Sequence, residues 1–192
     1  EQAALGARVL NKGQIRAEGG DVLLLARSAD TLLDTVINNT GIIRATSLVE
    51  RNGTIILDGG SHGIVANSGT LDVSGTAAGA TGGTVKVLGE QVALLDGTRI
   101  NASGDAGGGT VLIGGNFHGA GPEQNASQTI VSSDVLINAD AISTGNGGNV
   151  AIWSNDATQF HGSISARGGA QSGNGGFVET SSKGQLNFTG VV

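Results

Sequence analysis

The stretch Gly82-Gly83-Thr84-Val85-Lys86-Val87-Leu88-Gly89 decides the fold. Between its glycines apolar and polar residues alternate. That sets Val85 and Val87 on one face of an extended strand and Thr84 and Lys86 on the other. The same opening returns at Gly20-Asp21-Val22, Gly53-Thr54-Ile55, Gly109-Thr110-Val111, Gly148-Asn149-Val150 and Gly176-Phe177-Val178. A second strand pattern interleaves with it at Ile15-Arg16-Ala17, Ile43-Arg44-Ala45, Leu71-Asp72-Val73, Ile100-Asn101-Ala102, Ile142-Ser143-Thr144 and Ile164-Ser165-Ala166. Weaker third strands lie between, as at Val92-Ala93-Leu94 and Val135-Leu136-Ile137. Successive units start about 26 to 33 residues apart, the length of three short strands and three turns. One longer interval holds an insertion near Gly114 to Ser132. Helix-like spacing occurs at Ala29 to Val36, read as strand and loop with a short helical turn.

Composition says how such strands pack. The chain has 192 residues, 38% of them hydrophobic, enough for one domain core. That core is Val, Ile, Leu and Ala: only 3% of residues are aromatic, and Tyr, Met and Cys do not occur. Irregular cores fill gaps with aromatics and Met. A narrow interior of stacked, near-identical layers needs only aliphatics. Glycine occurs 35 times and proline once, which excludes a Pro/Gly linker, and no three-residue period points to collagen. Each coil of such a stack leaves its ladder groups unpaired until the next coil settles on it at about 4.8 Å. The expectation is an all-β chain, a right-handed single-stranded parallel β-helix (β-solenoid) of five to six coils. Residues 1–192 then form a single segment of a longer rod, with one insertion at 114–132.

Charge narrows the partners. The formal net charge is −6 with no basic cluster, so nucleic acid is not expected. No apolar run approaches the roughly 20 residues of a membrane helix, so no membrane insertion is expected. The absence of Cys excludes disulfides and thiolate metal sites. No signal peptide is visible at Glu1, as expected of a mature form or an excised fragment.

The residues quoted next resemble a known family. They are Val36-Ile37-Asn38-Asn39-Thr40-Gly41, Val49-Glu50-Arg51-Asn52-Gly53, Gly107 to Gly115, Asn138-Ala139-Asp140-Ala141, Phe160 to Gly169 and Gly173 to Thr180. Together they are similar to the filamentous-haemagglutinin-like exoproteins and adhesins of two-partner secretion, in the segment after the secretion domain. The resemblance implies a secreted or cell-surface rod with roles in adhesion, aggregation or biofilm formation. It also implies an outer-membrane transporter partner for the full-length protein, and host or bacterial surface glycans or proteins as targets. Two departures stand out. The Asn-Pro motif of the family's secretion domain is absent, the one proline being Pro122, so this segment is not expected to direct its own export. His118 and His161 stand where the family carries Tyr.

Because β-helices also carry polysaccharide lyases and hydrolases, catalysis was weighed as the alternative. Glycoside hydrolysis needs carboxylates converging at about 5 to 9.5 Å. Asp72, Asp96, Asp105, Asp134, Asp140 and Asp156 sit at strand ends and turns, where Asp caps backbone, and no Asp-Asp pair occurs. The chain is therefore read as a non-enzyme without cofactors. Ser61-His62-Gly63 and Phe160-His161-Gly162 read as turns, and the three His have no zinc spacing. Gly145-Asn146-Gly147-Gly148 and Gly173-Asn174-Gly175-Gly176 carry Asn where calcium-binding repeats need Asp, so they read as corners and no metal is expected. Gly104 to Gly109 lacks the Lys-Ser/Thr pair of a phosphate loop. Asn-x-Ser/Thr sequons occur at Asn38, Asn52, Asn101, Asn125 and Asn187, as expected by chance in this composition.

The scarce aromatics carry the site reading. With Val150 and Ile152 inward, Trp153 points outward, and Phe177 lies outside Val178 one coil later. Three readings stand: these rings are covered by the insertion bearing Phe117 and His118, they stack on sugar rings, or they contact a neighbouring domain or chain. The candidate ligand-binding residues are Trp153, Phe177, Phe117 and His118.

Overall fold

The computed structural model describes residues 9–27, 34–49 and 51–192. The first coil is β1 (Val9–Asn11), β2 (Gln14–Arg16) and β3 (Asp21–Leu25), and the second is β4 (Asp34–Asn39), β5 (Ile42–Arg44) and β6 (Thr54–Asp58). The third is β7 (Gly63–Asn67), β8 (Thr70–Asp72) and β9 (Thr84–Leu88), and the fourth is β10 (Gln91–Leu94), β11 (Arg99–Asn101) and β12 (Thr110–Ile113). The fifth is β13 (Gln128–Val131), β14 (Leu136–Asn138) and β15 (Asn149–Ile152). The sixth is β16 (Ala157–Phe160), β17 (Ser163–Ser165) and β18 (Phe177–Thr180), and β19 (Gln185–Phe188) follows. Every third strand pairs in parallel. The first sheet runs β1-β4-β7-β10-β13-β16-β19, the second β2 to β17, and the third β3 to β18. The chain is a β-solenoid of about six turns.

Register turns the repeat into columns. In the third sheet Val22, Ile55, Val85, Val111, Val150 and Val178 stack one above another. In the second, Ile15, Ile43, Leu71, Ile100, Ile137 and Ile164 do the same. Nearly all these side chains are buried, each worth about 1.5–3 kcal/mol against the entropy of ordering the chain. Glycine recurs at the corner before the third-sheet strands for a steric reason. A Cβ on Gly83, Gly109, Gly148 or Gly176 would run into the carbonyl oxygen of the glycine one coil earlier. Close approach of coils, rather than positive φ, selects glycine there.

The first sheet's inward column changes character along the axis. It reads Asn11, Asn39, Asn67, Leu94, Val131, Phe160, Phe188. The three asparagines form a ladder: Asn11 Nδ2 donates to Asn39 Oδ1 at 2.7 Å, and Asn39 Nδ2 donates to Asn67 Oδ1 at 2.6 Å. Asn67 Nδ2 then donates to Gly69 O at 3.0 Å and Thr98 Oγ1 at 3.2 Å. Asn39 and Asn67 are fully buried, so this chain of amides satisfies itself without water. Further along, Phe160 and Phe188 stack with centroids 5.3 Å apart and planes at 10°.

One strand expectation is corrected. The second-sheet strand of the fifth coil is Leu136–Asn138, and Ile142-Ser143-Thr144 lies in the turns after it. The cause is upstream. Gln128–Val131, which pairs with β10 and β16, was counted as insertion, which displaced the next strand by one place. The irregular stretch is consequently 114–127. In the stretch read with a short helical turn, Asp34–Asn39 is a strand, while Ala29 to Leu33 lie outside the described residues.

Candidate functional site

The site is the outer face of the third sheet together with the insertion folded back on it. Outward residues of that sheet align as Leu23, Ile56, Lys86, Leu112, Ala151 and Glu179. Leu112 and Ala151 are 4% and 1% exposed, so this face is covered where the insertion crosses it. After Ile113 the chain reverses through Gly114 and Gly115, at φ 72° and 157°. Asn116 Oδ1 accepts from Phe117 N at 2.8 Å and starts a short 3₁₀ turn, Phe117–Gly119. Ala126 N donates to Gly114 O at 2.6 Å and closes the base.

The four predicted site residues come together here. Phe117 and Phe177 lie 5.3 Å apart between ring centroids, tilted by 52°. His118 sits at the tip in the left-handed region, φ 57°, and no other described non-glycine residue does. Its backbone N–H donates to both carboxylate oxygens of Glu179 at 3.1 Å, and its Nδ1 lies 3.6 Å from Glu179 Oε2. Trp153 points outward as expected, but its face is closed. A Cβ on Gly119 would lie 2.5 Å from Trp153 Cζ2, and one on Gly115 would lie 2.8 Å from Cδ1, so the loop backbone rests directly on the indole. Among the described residues the indole Nε1–H has no hydrogen-bond partner. Phe177 (53% exposed) and the His118 side chain are the open part of the cluster.

Sequence reasoning missed what pins the insertion down. Glu123 Oε1 accepts from Lys86 Nζ at 2.7 Å, Glu123 Oε2 accepts from Asn116 Nδ2 at 2.7 Å, and the Glu123 side chain is 7% exposed. Burial works to raise the Glu123 carboxyl pKa, but the hydrogen bonds from Lys86 and Asn116 outweigh it and hold the group below its ordinary value. Gln124 Nε2 donates to Gly60 O at 3.0 Å. The available signal was an outward Lys86 between the apolar Ile56 and Leu112, which asks for an anion.

The carboxylates weighed for catalysis are held apart by structural duties. Asp72 faces Arg44 at 3.3 Å and accepts from Ser74, and Asp134 faces Arg99 at 3.3 Å. Asp105 accepts from Ser143 Oγ and Gly79 N, in that order of effect, and its pKa is lowered. Asp140 is buried: desolvation raises its pKa, but Arg167 (Nη2 at 2.7 Å, Nε at 3.0 Å) and Ser165 hold it low. Asp96 and Asp156 are exposed. Ser61 Oγ lies 3.0 Å from His62 Nδ1, but both are exposed and no hydrogen bond orients the far ring nitrogen. At the calcium-like turns, Asn146 Oδ1 accepts from Asn174 N at 2.8 Å, which joins successive corners. Of the glycine string, Gly108 N donates to Asn146 O in the next coil and Gly109 N to Ala102 O across its own corner, so both are spent on backbone pairing. Among the described residues, no group of three or more His, Cys, Asp or Glu is placed to hold a metal ion. None of their helices is long and apolar enough to cross a membrane.

No family model matches the chain, and no curated protein matches it. Among solved structures, the chain is similar to the HMW1 secretion domain from Haemophilus influenzae, with a TM-score of 0.76 and 27% sequence identity. The match covers 95% of this chain and 46% of that one, so this chain spans under half the length of its neighbour. The neighbour is itself a secretion domain, whereas the sequence reading placed this chain after one.

Proposed function

We propose that the chain is a rod segment of a secreted bacterial surface exoprotein, exported through an outer-membrane transporter and serving adhesion, aggregation or biofilm formation. The observation that carries this reading is the likeness to a secretion domain over 95% of the chain.

The rod carries a weak glycan contact at the tip of the insertion, where Phe177 offers an open ring face, Phe117 buttresses it and His118 supplies a polar edge. Trp153 supports this platform from beneath. A glycan array probed with the intact chain and with Phe177→Ala tests it. Binding to a glycan class that the variant loses, at unchanged circular dichroism, supports the contact. An array without signal for the intact chain removes it. Incubation with acidic and neutral polysaccharides should release no reducing ends or unsaturated sugars, and release of either overturns the non-enzymatic reading.

A further inference from the structure

We infer that the insertion 114–127 is an axial brace that makes the coils unfold together rather than one by one. In a solenoid the ladder joins each strand only to its two neighbours, so stability is a sum of nearest-neighbour terms and the ends fray first. Backbone pairing here follows that rule: each strand of the third sheet bonds only to the strands beside it. The insertion breaks it. It leaves the stack after β12 and reaches back to Gly60, just past β6, through Gln124, and to Lys86 on β9 through Glu123. In the other direction it reaches β18 through Phe117 on Phe177 and through the His118 amide on Glu179. Its anchors therefore span four strand spacings, about 19 Å along the axis.

The fit shows that the loop packs specifically. Gly115 and Gly119 both lack room for a Cβ against Trp153, and Gly119 has φ 64°. His118 accepts a left-handed backbone that side chains rarely adopt. The buried Glu123 is satisfied by partners on the sheet and within the loop, so the brace is held by polar latches at one end and by aromatic packing at the other. This inference stands on the geometry alone and does not depend on the adhesive reading.

The test is native-state hydrogen exchange read by mass spectrometry on the full chain, with Glu123→Gln and Phe117→Ala as separate variants. Neither truncates the core, so both should fold, and far-UV circular dichroism checks this. In Glu123→Gln the amides of β9 should exchange on the order of tenfold faster, and in Phe117→Ala those of β18 should. The urea unfolding slope should fall in both, because coils that no longer unfold together give a broader transition. Faster exchange confined to 114–127, or an equal rise in every strand at unchanged slope, would overturn the brace: the loop would then be a passive cover. A variant that fails the dichroism check is replaced by Gln124→Ala, which removes one side-chain donor and is read at β6.

Discussion

Replacing one rung of the buried asparagine ladder should cost more than replacing all of it. In Asn39→Leu the Oδ1 of Asn67, fully buried, loses its donor, and an orphaned buried acceptor costs about 1–3 kcal/mol. Asn11 Nδ2 loses its acceptor too, but Asn11 is half-buried and water can replace part of that bond. The new aliphatic side chain returns some of the loss, leaving a net destabilisation of about 1–3 kcal/mol. The triple variant Asn11→Leu, Asn39→Leu, Asn67→Leu leaves no orphaned amide. Gly41 O still accepts from Thr70 N at 2.9 Å, Gly69 O from Arg99 N at 3.2 Å, and Asn67 O from Thr98 Oγ1 at 2.6 Å. The same column already holds Leu94 and Val131 in the two coils that follow Asn67. The triple variant should therefore fall within about 1 kcal/mol of the parent. Urea unfolding followed by far-UV circular dichroism resolves this. With a slope near 2–3 kcal/mol/M, a loss of 2 kcal/mol moves the midpoint by about 0.7–1 M. A single variant as stable as the parent, or a triple variant costing about three times the single, would refute the account of the ladder.

Other consequences are sharper at single residues. Phe160→Ala should destabilise by about 3–5 kcal/mol, and Phe188→Ala by clearly less because that ring is 43% exposed; equal losses in thermal unfolding would contradict the stacked-column picture. Glu123 keeps its folded pKa below its ordinary 4.5, so its contribution is present above that pH and is lost as pH falls through the lower, folded value. Trp153 emission should shift to the red in that acid window, and Glu123→Gln should show the shift at neutral pH already; an emission maximum indifferent to both disproves the latch. In Gly119→Ala the added methyl meets the indole at 2.5 Å on a backbone of positive φ, so the loop should lift at a cost of about 1–2 kcal/mol. Acrylamide quenching of Trp153 should then rise, and unchanged quenching would show that the loop does not rest on the ring.

The fold was legible because the signal is redundant. Val85 and Val87 mean little alone, but the same alternation after glycine at five other places fixes strand, face and register together. Where redundancy failed, reading failed. Gln128–Val131 follows the insertion, and its outward Ile130 is 37% exposed, so it offered no clean alternation to mark it as a strand. The aromatic cluster was legible because the chain has so few rings to place. The ladder was written in plain sight as Asn11-Lys12-Gly13, Asn39-Thr40-Gly41 and Asn67-Ser68-Gly69, at a constant interval of 28. It was passed over because asparagine before glycine reads first as a turn. Only the interval, with the inward phase of the strand, says that these amides stack inside. Lys86 and Glu123 are 37 residues apart and belong to different repeats, so no local pattern could join them.

The polar pairs share one direction, and that direction bears on function. Arg27 meets Asp58, Arg44 meets Asp72, Arg99 meets Asp134 and Arg167 meets Asp140, each across neighbouring coils. Asn39 bonds to the coil below and the coil above in the same way. An enzyme on this scaffold would need carboxylates brought together around one point. Here Asp58, Asp72, Asp134 and Asp140 each face a cation or a coil edge, and each ties its own level to the next. Exposed pairs of this kind add little individually in water. What they add is register: a coil slipped by one residue would set Arg44 against the wrong neighbour and turn Ile43 out of the core. A rod that must keep one register along its length uses its charges for that purpose. Among the described residues the axial pairing leaves the repeat at the insertion, which is also where Phe117 and the open Phe177 meet.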